Sequence, residues 1–333
     1  MFGTYRFLLA LMVIFTHLGG LGGLGSYAVF AFYMLSGYLM TLILHSSYGY
    51  SLTGLKKYSL NRFLRIFPLY WVSIIFSILI ILLIGETKAF NYHKAMQIPE
   101  SFLGVLKNIS LALVWNDRPK LTPPSWALSV ELFYYLCIGL GLSKNKLISI
   151  CWLVISIYYH IYINLKGWGL EYSYFHVLAG SLPFSIGATL YFYKDYIAEK
   201  APVLSHRMLP PTLVLLIIIN WSIFGINRDM AGFYINLIFC ALILVGLSKN
   251  RTSFWISNRW DQSLGALSYP MYLIHYQVGL LIIYLLQFAN LEIGRPNLFL
   301  TILSIPIVII LSLLINHFIE KPIQKIREHI KTP

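Results

Sequence analysis

Charge is what this sequence has least of. Of its 333 residues only 11% are Asp, Glu, Lys or Arg, while 58% are hydrophobic. An ordinary soluble domain carries about 25% charged residues. A soluble fold of this length still needs a polar skin over its core, and here too little charge is left to make one. The shortage excludes a soluble globular enzyme, a disordered tail and a nucleic-acid-binding domain. Acid is scarcer than base: 12 Asp and Glu stand against 25 Lys and Arg, a net charge of +13. In so apolar a chain the surplus cations mark loops facing anionic lipid headgroups rather than a nucleic-acid partner. Cysteine is also rare. Cys137, Cys151 and Cys240 each lie inside an apolar run, with neither metal-ligand spacing nor a disulfide framework, so no metal site is expected.

Long apolar runs are what the sequence has in quantity. Crossing a ~30 Å hydrocarbon core takes about 20 apolar residues in a helix. Ten stretches qualify, some only if tilted: roughly 6–23, 27–45, 66–85, 124–142, 147–163, 173–193, 209–226, 231–248, 264–288 and 297–319. A shorter run, 102–115, follows Pro99 and reads as re-entrant or interfacial. The first stretch resembles a signal peptide, but it ends in a glycine-rich segment without an Ala-x-Ala site, and nine more spans follow. Most of the Lys and Arg fall in the two tails and the even-numbered connections, which the positive-inside rule puts in the cytoplasm. The expected fold is an all-α integral membrane protein of about ten transmembrane helices, N- and C-termini cytoplasmic. It is read as a single transmembrane domain over 1–333, with no repeat and no appended soluble domain.

Ionisable residues inside a bilayer are costly and usually face a cavity or a partner. Arg6 and His17 share the first stretch, eleven residues apart. That is close to three helical turns, so they lie on one face about 16 Å apart along the axis. The plain alternative is a snorkelling Arg and a packed His. Arg62 and Arg65 share a face if the third helix already begins there, and two guanidiniums together suit phosphate oxygens; a topology-setting loop is the alternative. Pro68 just inside that span suggests a shaped entry. Glu131, about seven residues into the fourth span, suits a base or a hydroxyl-orienting acceptor, or a structural ion pair. His275 lies within a span and, taken alone, reads as packing. Glu320 ends the last span near the level of the arginines, one of which it could pair.

Together these pieces resemble the signatures of acyltransferase family 3, the integral-membrane O-acyltransferases, over nearly the whole chain. They are Arg6-x10-His17, Phe32-x2-Leu35-Ser36-Gly37-Tyr38, Arg62-x2-Arg65-Ile66-x-Pro68-x-Tyr70, Ser125-Trp126-x2-Ser129-x-Glu131, Ser268-Tyr269-Pro270-x-Tyr272-x2-His275 and Glu320-Lys321-Pro322, in the family's order. The chain departs where Phe7 follows Arg6, and it carries no SGNH-type domain of the kind some members append. The resemblance implies transfer of an acetyl group from acetyl-CoA to a hydroxyl of a surface polysaccharide, of O-antigen or exopolysaccharide type, or of its lipid-linked precursor. It implies a bacterial-type inner membrane, no permanently bound cofactor, and membrane lipids, acyl-CoA and a glycan as partners. Catalysis would fall to His17 and Glu131 and donor binding to Arg6, Arg62 and Arg65. Ser36, Trp126, Ser129, His275 and Glu320 would bind substrate or support the site. The residue geometry agrees: cations stand where a cytoplasmic phosphorylated donor arrives, and an imidazole lies deeper, able to take a proton from an attacking hydroxyl. A transporter or flippase of a lipid-linked sugar or acyl donor would also need intramembrane His, Glu and Arg. Transporters, however, often show internal repeats around a midplane site, and none is visible.

Overall fold

The computed structural model describes residues 2–112, 118–226, 229–249 and 256–331; the last three residues of the expected re-entrant run lie outside them. Among the described residues all regular structure is helical. The helices are α1 (Gly3–Gly19), α2 (Leu24–Ile43), α3 (Leu52–Ile84), α4 (Glu86–Tyr92), α5 (Phe102–Ser110), α6 (Ser125–Cys137), α7 (Lys146–Leu165), α8 (Val177–Lys200), α9 (Leu209–Asn220), α10 (Met230–Lys249), α11 (Asn258–Phe288), α12 (Leu298–Ile315) and α13 (Lys321–Lys331).

Among the described residues seven helical runs are long and apolar enough to cross a membrane: Leu24–Tyr48, Leu52–Ile84, Ser125–Leu142, Lys146–Leu165, Met230–Lys249, Asn258–Phe288 and Leu298–Ile330. Helices occupy the other three expected stretches too. Gly3–Gly19 and Leu209–Gly225 are apolar but shorter. Helix α8 is long, yet Gly180, Ser181, Pro183, Ser185 and Gly187 dilute its apolar run. Side chains such as Ile75, Leu79, Leu82 and Leu83 of α3 are more than half exposed, which is an outward apolar face suited to lipid rather than water. Some hydroxyls inside the runs return to their own helix: Ser304 Oγ donates to the Leu300 carbonyl at 2.7 Å and Thr41 Oγ1 to that of Gly37 at 2.8 Å, which satisfies them without water.

Helix α3 corrects two expectations. It begins at Leu52 rather than near residue 66 and runs for 33 residues, about 50 Å at 1.5 Å per residue. Hydropathy marks only the portion matching the ~30 Å core and is blind to the turns that precede it. Pro68 therefore lies inside a continuous helix; it removes one backbone hydrogen bond instead of shaping an entry. Helix α5 has nine residues, too few to cross. Ser101 caps it and Leu111 ends it in the left-handed region at φ 56°, while Phe102 and Leu103 stay exposed. Its inward residue, Asn108, donates to the Pro119 carbonyl at 2.9 Å and accepts from the Leu121 amide at 3.0 Å.

Contacts divide the chain into two compact units: Met1–Leu9, Gly22–Leu60 and Val130–Gly265, and Ala10–Leu21, Asn61–Ser129 and Ala266–Pro333. In the first, α2 and α8 meet at glycines. Gly37 faces the Phe184 carbonyl and Gly187 that of Met34, so a Cβ at either would strike backbone. Tyr33, Phe184 and Tyr134 stack beside that contact. In the second, Tyr272 donates from α11 to the Pro124 carbonyl at 2.9 Å. The carbonyl of Leu18, at the end of α1, accepts from the Asn297 amide at 2.7 Å. That last bond ties the start of α12 to the helix end that carries His17.

Candidate active site

In the second unit, three guanidiniums gather where α3 meets the end of α12. Because α3 is already helical at Asn61, Arg62 and Arg65 fall one turn apart, as a shared face requires. Arg65 pairs with Glu320, whose side chain is only 6% exposed, and its guanidinium lies 5.8 Å from the Tyr269 ring. Tyr269 is fixed in turn by donating to the Ile66 carbonyl at 2.9 Å. Asn61 is fully buried. Its Oδ1 accepts from Arg62 at 2.7 Å and from Arg327 Nε and Nη2 at 3.3 Å each, while its Nδ2 donates to the Arg327 carbonyl at 3.0 Å. One amide thus holds α13 against α3 with two cations on the same oxygen. Such a cluster favours an incoming polyanion, since like charges held together are otherwise unfavourable.

Six residues further along α11 comes a pair of imidazoles. Six residues of helix rise about 9 Å, so Tyr269 and His275 bring both features to one helix. His275 is buried, and its Nδ1 lies 2.9 Å from the Tyr272 carbonyl. A carbonyl only accepts, so Nδ1 carries the proton and, in the neutral ring, Nε2 accepts. His17 Nδ1 lies 2.9 Å from that Nε2 and must donate. The remaining nitrogen, His17 Nε2, is left with its lone pair. The rings are 7° from parallel with centroids 5.1 Å apart, and the Tyr276 ring packs 4.9 Å from His17. The sequence expectation of a packed, carbonyl-bonded histidine therefore fits His275, whereas His17 is an imidazole held in one tautomer by another.

Around Tyr276 the same unit brings in groups from outside the spans. His93, just after α4, packs 4.9 Å from the Tyr276 ring, and its Nδ1 accepts from the Ala95 amide at 3.1 Å. Burial above all, then the charges of Arg295, Arg118 and Lys120 and the nearby His275, push His93 down to about 3. An unfolded imidazole titrates near 6.5. Between those values the unfolded chain binds the extra proton, so stability falls as the pH falls. From pH 7 to pH 5 the loss is about 2 kcal/mol. His93→Asn lacks this penalty, so its melting midpoint should decline less than that of the parent over that interval. Equal slopes in thermal-shift scans would show that His93 does not titrate this way.

In the first unit, Glu131 on α6 gathers hydroxyls. Its Oε1 accepts from Ser36 at 2.5 Å and from Tyr135, and those two hydroxyls lie 3.3 Å apart. No basic partner binds it among the hydrogen bonds described, so it acts here as an acceptor for hydroxyl groups. Arg6 stands on α1, which is unbroken from Gly3 to Gly19. Trp126 occupies the first turn of α6, half-buried, and Ser129 reaches back to the Ser125 carbonyl at 3.4 Å.

The structure thus gathers Arg62, Arg65 and Glu320, pairs His17 with His275, and joins Ser36 to Glu131. Sequence reading passed over Asn61, Arg327, His93, Tyr276 and Arg295. Arg327 counted only as a topological charge, although its place on a basic, amphipathic end helix was a usable signal. The others lie in connections or beside a known motif, where no periodicity points to a partner.

The acyltransferase domain, as a family model, matches residues 4–317. No curated protein and no solved structure matches the chain.

Proposed function

Since the chain belongs to acyltransferase family 3, and is thus a multi-pass membrane acyltransferase, we propose that it moves an acetyl group from acetyl-CoA to a hydroxyl of a surface glycan or its lipid-linked precursor. The carrying observation is the hydrogen-bonded imidazole pair, which leaves His17 Nε2 free as a base, with His275 on the same helix as Tyr269, the ring beside the Arg65 guanidinium. In this reading Arg62 and Arg65 take the donor's phosphates, and the thioester arm runs about 9 Å or more along α11 toward His17. Arg6, on the helix of His17, is a further donor contact. The acceptor O–H gives its proton to His17 Nε2 as its oxygen attacks the thioester carbonyl. Collapse of the tetrahedral intermediate expels the CoA thiolate, and the imidazolium returns the proton to sulfur. His275 keeps His17 in the correct tautomer and shares the transient charge, the role a carboxylate fills in a hydrolase triad. Glu131, which already receives two hydroxyls, is the acceptor-orienting carboxylate of its own unit.

All ten helical stretches cross the bacterial inner membrane in this reading, with both termini in the cytoplasm. The transporter alternative gains no support from an acyltransferase-domain match. Mass spectrometry of surface glycan from cells with and without the gene tests the proposal. One acetyl increment per repeat is expected only in cells that carry it. Identical spectra would remove the glycan as acceptor.

A further inference from the structure

Beyond His17, at the Arg295 end of the second unit, the polar groups are nearly all donors. The Arg295 guanidinium lies 4.9 Å from both the Tyr92 and the Tyr276 rings, which meet edge to face. It is held there by Asn297, two residues on, whose amide donates to the Leu18 carbonyl next to His17. The Tyr92 hydroxyl is buried and has no hydrogen-bond partner among the described residues. Nδ1 of His93 is occupied as an acceptor, so in the neutral ring Nε2 carries the proton and is a donor. The segment bearing Arg118 and Lys120 runs alongside: the Lys120 amide donates to the Ala95 carbonyl at 2.8 Å. Arg118 is exposed and Lys120 buried. Among the described residues no carboxylate forms an ion pair with Arg295 or Arg118. The charged groups that bear on His93 are Arg295, Arg118 and Lys120, all cationic.

A guanidinium beside an unpartnered buried hydroxyl and an imidazole N–H fits a ligand that brings oxygens and negative charge. We propose that this end of the unit is a binding site for an oxyanion, phosphate or carboxylate, carried by the acyl acceptor. Arg295 is its principal contact, with Arg118, His93 Nε2–H and the Tyr92 hydroxyl as further donors. The class of substrate follows: an acidic or phosphorylated glycan rather than a neutral one. Along α11, Tyr269 stands by the donor cations, while His275 and Tyr276 stand by the base and the acceptor cation. The identification of the ligand as acceptor rests on the acyltransferase reading; the anion site itself does not.

The test uses the purified protein in phosphatidylcholine nanodiscs, with isothermal titration of glucose 1-phosphate, of glucose, and of coenzyme A. Glucose 1-phosphate should bind and glucose should not. Arg295→Gln should weaken glucose 1-phosphate at least tenfold, since it removes a charge-assisted contact in a site shielded from water, and should leave coenzyme A unchanged. Arg118→Gln, at an exposed position, supplies a second variant whose folding is secure and should weaken it less. Arg65→Gln should show the reverse pattern, weakening coenzyme A alone. A second arm dopes the discs with phosphatidate. If the Arg295 dependence is seen with phosphatidate only, the site stands and its anion is membrane-anchored; if with glucose 1-phosphate only, the anion is soluble. No Arg295 or Arg118 dependence with either probe overturns the proposal. Binding of glucose 1-phosphate without any binding of coenzyme A would leave this site standing while removing acetyl-CoA as the donor.

Discussion

His17→Ala should lower kcat by a factor of roughly 10²–10⁴, the usual contribution of a positioned general base, with the KM for acetyl-CoA nearly unchanged. The split between the two constants identifies the role. His17 meets the donor only at its reacting carbon, whereas the guanidinium cluster that would hold the phosphates is built by Asn61, Arg62, Arg65 and Glu320. His275→Gln provides the internal control. The amide can still accept from His17 Nδ1, so the tautomer survives, but it cannot share the imidazolium charge. It should therefore retain more activity than His17→Ala, whereas His275→Leu, which leaves the His17 Nδ1 proton without an acceptor, should approach the His17→Ala level. Steady-state kinetics on detergent-purified enzyme would show this ranking. Equal kcat for parent and His17→Ala would exclude His17 as the base.

Removal of the paired arginines should act on the other constant. Truncating one partner of a desolvated charge contact typically costs 2–5 kcal/mol, so Arg62→Ala or Arg65→Ala should raise the donor KM by about 30-fold or more, with smaller change in kcat. Arg→Lys should rescue poorly, because an ammonium cannot present the planar fork. Arg65 also pairs with the buried Glu320, and breaking such a pair is destabilising in its own right. Glu320→Gln separates the two effects. If Arg65 serves only to neutralise Glu320, then Glu320→Gln should leave the donor KM normal and Arg65→Ala/Glu320→Gln should restore it. If Arg65 holds phosphate, the double variant should keep the raised KM.

The elements that could be read in advance were those encoded by local periodicity. The apolar runs marked helices in all ten stretches, because an apolar stripe of sufficient length has few other solutions. The Arg62–Arg65 pair was legible because a three-residue spacing has meaning once the segment is helical. The start of α3 was not, since a hydropathy window measures membrane thickness and Leu52–Asn61 lies beyond it. His17 was visible as an ionisable group in an apolar helix. Its partner His275, 258 residues later, was visible only as another such group, and nothing in the spacing said that the two touch. Arg295 and His93 lie in connections, whose course over the spans is set by tertiary bonds such as Asn297 to Leu18 and Lys120 to Ala95. Arg327 meets Asn61 in the same way, at a separation of 266 residues.

The central claim is that His17 activates the acceptor directly, with no acyl group resting on the protein. Purified enzyme incubated with acetyl-labelled acetyl-CoA in the absence of acceptor tests it most simply. Direct transfer leaves the protein unlabelled after denaturation and gel filtration, with label appearing in product only when acceptor is added. Stoichiometric label retained on the protein, and lost in His17→Ala, would contradict it and establish an acetyl-imidazole relay instead.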